Sequence, residues 1–204
     1  MTTSEQLRAY AGPAWLSRGF RPFFLAAAVL AAIALPVWML IFTGVIDAPG
    51  PLNGRDWHVH ELLFGYLPAA MAGFILTAVP NWTGRLPVAG APLLALFLLW
   101  LAGRVATLLP VTLAVAAPVD ALFLFALAAV VGREIAAGRN YRNLPVAALI
   151  TFVGLANAQK TLGDAAAAER TFLDAIDARP GDWSPWSQLG AFYRECGRLD
   201  DALR

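Results

Sequence analysis

The stretch FRPFFLAAAVLAAIALPVWMLIFT, residues 20–43, carries a single charge, Arg21, at its start. A bilayer core about 30 Å thick needs about twenty apolar residues to cross as a helix, and this stretch supplies them. Pro36 falls inside it and predicts a kink, because proline removes one backbone hydrogen bond. The same pattern returns downstream. A second span is expected over about 59–79, closed by Pro80. A third covers about 88–109 and contains Arg104, and a fourth covers about 111–131 and contains Pro118 and Asp120. A fifth apolar stretch, 144–158, reaches only roughly 22 Å at about 1.5 Å per residue, short for a crossing. The fold class expected is all-α: a polytopic membrane bundle of four to five transmembrane helices, followed by a short tetratricopeptide-like helical hairpin.

Composition agrees. Of the 204 residues 59% are apolar and 14% charged, and the mean hydropathy is +0.61. A soluble domain carries about a quarter charged residues. The lipid bilayer is therefore the first partner expected. A net charge of +1 without a basic tract argues against nucleic acid. Cys196 is the sole cysteine, so no internal disulfide can form. The N-terminal residues do not read as a cleavable signal peptide. Arginines orient the bundle: Arg8, Arg18 and Arg21 open it, and Arg133, Arg139 and Arg142 lie between the fourth and fifth apolar stretches. With these in the cytoplasm, the start of the second helix faces outward, into the periplasm of a Gram-negative cell.

That outward end holds both histidines of the chain, in Trp57-His58-Val59-His60-Glu61. Imidazole binds transition metals and moves protons near neutral pH. It also suits an interfacial belt with tryptophan, one side apolar and one side wet. Both readings stay open on residue chemistry. Residues two apart on a helix point in different directions, so one metal can take both rings only if His58 precedes the first helical turn. Arg104, about one turn from its helix end, is expected to snorkel to the interface. Asp120 lies deeper and calls for a buried partner, Arg104 being one candidate.

Four ordered blocks carry a resemblance. Ser17-Arg18-Gly19-Phe20-Arg21-Pro22-Phe23-Phe24, then Trp57 to Gly65 (WHVHELLFG), then Ala72-Gly73-Phe74 with Leu76 to Arg85 (LTAVPNWTGR), then Arg142-Asn143-Leu144-Pro145 resemble, in order and spacing, the NnrS family. The resemblance covers about residues 15–157. It implies a multi-pass protein of the bacterial inner membrane, linked to the response to nitric oxide and holding haem and copper. On that resemblance His58 and His60 are the metal-ligand candidates. Glu61 is a carboxylate that supports a ligand ring or handles protons, and Arg104 and Asp120 are the intramembrane polar residues. The chain has fewer spanning helices than the family and no third histidine, so the expected haem or copper site is incomplete in this chain unless another subunit, for instance in a homo-oligomer, supplies further ligands. No catalytic residue is assigned, since no phosphate-binding glycine loop, serine nucleophile or zinc-protease motif occurs.

The domains expected are 1–157, the membrane part, and 158–204, a helical-repeat tail. Gly163, Ala168, Phe172, Ala175, Pro180, Trp186, Leu189, Gly190, Tyr193, Gly197 and Ala202 fall in one frame of a tetratricopeptide repeat of about 34 residues. Roughly one and a half repeats are present, fewer than the roughly three a stable array needs. Two alternatives therefore remain: a membrane-anchored module that docks a protein partner through this tail, or a truncated or fused reading frame with its seam near residues 156–159.

Overall fold

A computed structural model describes residues 10–161 together with Arg170, Leu173, Asp177 and Leu189. Residues 1–155 form one compact unit and 156–204 another. Apart from Leu189, the residues of the repeat frame lie outside the described residues, as does Cys196.

Among the described residues five long helices follow in order: α1 (Phe20–Phe42), α2 (Gly54–Thr83), α3 (Ala91–Leu108), α4 (Leu113–Ala137) and α5 (Leu144–Thr161). No strand occurs among the described residues. The first four are long and apolar enough to cross a membrane, and α5 is not among them. α1 packs on α2, α3 on α4, and α2 also on α4. Phe23, Leu76, Leu93, Phe123, Leu124, Leu127, Val131 and Ile135 fill the centre.

The polarity of the bundle is inverted relative to a soluble protein. Leu25, Ile33 and Phe42 on α1 are 64%, 57% and 71% exposed, while His60, Glu61, Arg104, Asp120 and Glu134 are buried. A water-soluble domain almost never leaves this much aliphatic surface outside and this much charge inside. A bundle solvated by lipid does.

Three helix limits depart from the sequence expectation. α2 does not begin near residue 59. Asn53 caps it, its side chain accepting from the Asp56 N–H at 3.0 Å, so the helix starts at Gly54. Nor does Pro80 close it. The helix runs through Pro80 and stops where Gly84 takes φ 68° and returns its N–H to the Pro80 carbonyl at 2.9 Å. α4 likewise continues past Val131, taking Arg133 and Glu134 onto the helix. Pro36 and Pro118 lie inside continuous helices.

Candidate functional site

The early start of α2 decides how the two histidines are presented. Both lie on regular α-helix, Gly54–His60. Two residues then turn about 200° around the axis, so the rings diverge. His58 stacks on Trp38 of α1, with ring centroids 4.0 Å apart and planes 18° from parallel. His60 turns into the bundle and is 3% exposed. Trp57 is also buried, so the segment is not an interfacial belt of outward rings.

Immediately after His60 the helix widens. Glu61–Tyr66 forms a π turn, and the Leu67 N–H reaches back to the Leu62 carbonyl. Single π turns within α-helices mark functional sites more often than chance. Glu61 opens the turn and is buried beside His60. Gly65, within the turn, gives its carbonyl to the Trp100 indole N–H at 2.9 Å, joining α2 to α3.

The polar residues of three helices meet here. Arg104 Nη1 donates to Glu61 Oε2 at 2.9 Å, and Arg104 Nη2 donates to Asp120 Oδ1. Arg104 therefore does not snorkel. It is 5% exposed, because Glu61 and Asp120 stand at its own height and hold it inside. Thr107 Oγ1 lies 2.9 Å from Glu61 Oε1 and 2.8 Å from the Arg104 carbonyl, and its single proton serves one of them at a time. His60 Nε2 is 3.0 Å from Asp120 Oδ2, and Nδ1 is 3.6 Å from Glu61 Oε1. Both contacts have ion-pair distance, yet neither ring nitrogen is aligned for a hydrogen bond. At about 1.5 Å per residue the cluster lies roughly 6–11 Å inside the helix ends at Gly54, Leu108 and Leu113. Among the described residues no three His, Cys, Asp or Glu side chains are arranged as a formed metal site.

Two small residues make the cluster possible. A Cβ on Gly65 would meet Arg104 Nη1 and come within 2.8 Å of Leu30 Cδ2 and 3.0 Å of Glu61 Oε2. Since Arg104 is pinned by two carboxylates, it cannot give way. Gly65→Ala is expected to cost about 1–3 kcal/mol, the usual range for overpacking, read as a lower thermal midpoint of the detergent-solubilised chain. An unchanged midpoint would show that the π turn has slack. Gly103 plays the matching part where α3 meets Asp120.

Sequence reasoning named His58, His60, Glu61, Arg104 and Asp120, and of these all but His58 come together. It missed Thr107, Trp100, Gly65 and Gly103. The legible signal was Asn53-x-x-Asp56, an N-cap pattern that starts the helix early enough to fix the direction of everything after it.

Long lipid-facing helices around a buried ionic cluster define a multi-pass membrane protein. The chain belongs to the NnrS family, whose match, to NnrS protein, spans residues 14–183. It therefore continues beyond residue 157, the expected end of the resemblance. No curated protein and no solved structure matched the chain.

Proposed function

We propose that the chain is a haem- or copper-binding protein of the bacterial inner membrane that serves the response to nitric oxide. One observation carries the reading: the charge count around His60. Arg104 contributes one positive charge, while Glu61 and Asp120, when ionised, contribute two negative ones. All are buried. Besides Arg104, His60 also faces both carboxylates, at 3.0 and 3.6 Å, with neither ring nitrogen aligned for a hydrogen bond. A second positive charge there, a proton on the ring or a metal ion bound to it, balances the cluster, and low dielectric makes that balance worth far more than in water.

The donor chemistry fits. Imidazole nitrogen with carboxylate oxygen suits a copper ion, for which His60 and Asp120 are the first two donors. The stacked His58, whose Nδ1 is buried without a hydrogen bond, would be the residue to give a ring nitrogen to a haem iron. Either group, when bound, supplies a metal that takes up nitric oxide or passes an electron. The chain's own residues do the positioning. Arg104 and Thr107 fix the Glu61 carboxylate, Arg104 fixes Asp120, and the pair of carboxylates fixes the ring of His60. Because the two imidazoles diverge, they serve separate centres, and the remaining ligands come from elsewhere.

The test is the full chain purified in detergent from haem- and copper-replete cells. A Soret band or bound copper is expected. His60→Ala should lower copper affinity by about tenfold or more, and His58→Ala should weaken the Soret band comparably. Protein free of both groups under those conditions would overturn the reading. Cells lacking the chain are expected to grow more slowly under a nitric oxide donor.

A further inference from the structure

The opposite end of the bundle holds a second charged cluster, which the haem and copper reading leaves unused. Glu134, on the last turns of α4, is 5% exposed. Its two oxygens take different arginines. Arg85 Nε donates to Oε2 at 2.6 Å, while Arg133 Nε and Nη2 donate to Oε1 at 3.1 and 2.7 Å. One carboxylate thus holds side by side two guanidiniums that would otherwise repel, and the group keeps one net positive charge. Both arginines remain open to the outside, their side chains 46% and 67% exposed. The two terminal nitrogens of Arg85 and Nη1 of Arg133 have no hydrogen bond among the described residues.

These donors border a hollow of about 510 Å³, walled on its apolar side by Pro87. A second hollow, about 390 Å³, shares Arg85 and Pro87 with the first and adds Arg18 and Asn81. The end of α2 that leads into Gly84 and Arg85 is held in place, since Asn140 Nδ2 donates to the Trp82 carbonyl at 2.5 Å and Thr83 Oγ1 to the Val79 carbonyl at 2.8 Å. α2 ends at Thr83, α3 begins at Ala91 and α4 ends at Ala137, so the hollow lies at headgroup depth in a bilayer-spanning bundle.

We propose that this paired-arginine hollow binds an anionic phosphate group, the headgroup of an acidic membrane lipid. Guanidinium forks match phosphate oxygens two at a time, and basic pockets between helix ends are where such headgroups settle. Glu134 also lines the hollow but is a positioning residue: both its oxygens are taken by the arginines, whose forks it pre-sets.

The full chain in detergent is titrated with phosphatidylglycerol, phosphatidylcholine and inorganic phosphate, and binding is followed by native mass spectrometry. Phosphatidylglycerol is expected to bind about tenfold or more tightly than phosphatidylcholine, and Arg85→Gln with Arg133→Gln should abolish the preference. Should that pair fail to fold, Arg18→Gln carries the test, with an expected several-fold weakening of phosphatidylglycerol alone. Displacement of the lipid by millimolar inorganic phosphate identifies a free phosphate as the ligand, and no displacement identifies the headgroup. Equal binding of the two lipids, or a preference untouched in the folded variants, overturns the proposal. None of these outcomes depends on whether haem or copper binds.

Discussion

Arg104→Met is expected to destabilise the bundle by about 3–5 kcal/mol, the range seen when one partner of a buried ion pair is removed. Two carboxylates depend on this guanidinium. Glu61 Oε2 loses a donor at 2.9 Å, and Asp120 Oδ1 loses its contact with Nη2. Neither can turn to water, as both residues are buried roughly two turns below the helix ends. Methionine fills most of the volume, so the loss reports charge rather than a cavity. The measurement is the unfolding midpoint in detergent, followed by tryptophan fluorescence; Trp100, on the same helix, reports the site directly. The control is the triple variant Glu61→Gln, Arg104→Met, Asp120→Asn. Removing all three charges together should recover most of the loss, because a concerted neutral replacement avoids stranding an ion. If the triple variant is as weak as Arg104→Met, the cost lies in packing and the charge argument fails.

That result also bears on what the sequence discloses. The bundle is legible because the bilayer imposes a length and a polarity on every helix, and both are written in runs such as Phe20–Phe42. The pairing of Asp120 with Arg104 is legible too, since two opposite charges in lipid must find each other. What the sequence hides is rotation. Arg104 stands one turn from the end of α3, and distance along the axis alone points it outward. Its direction depends on Glu61, whose own direction depends on the cap at Asn53 that starts α2 five residues before Val59, and the π turn that follows, which no periodicity announces, shifts the register of the rest of α2. An error of one residue at that cap swings His58 and His60 by about 100° each. The close approach of α3 and α4 is equally silent, because a glycine in an apolar run reads alike whether it faces lipid or a neighbouring helix.

Gly103→Leu should therefore act as strongly as a change in the ionic cluster, although it alters no charge. A Cβ at this position would lie 3.0 Å from the Asp120 Cα and 3.3 Å from its Cγ, besides meeting Oδ1. A side-chain atom can rotate aside, but a Cα moves only with its helix. α3 and α4 must then separate, and Arg104 loses its reach to Asp120. Overpacking of this kind costs about 1–3 kcal/mol for one added methyl, and leucine adds more atoms into the same gap. Gly103→Ala with Asp120→Ala separates the two contributions. It removes the clash with the carboxylate and keeps the clash with the backbone, so it should remain less stable than Asp120→Ala alone. The readouts are the thermal midpoint and, where copper is bound, its affinity, which should fall together as Asp120 leaves His60. A Gly103→Leu chain as stable as the parent would mean that α3 and α4 do not meet at Asp120, and the buried cluster would lose the helix contact that assembles it.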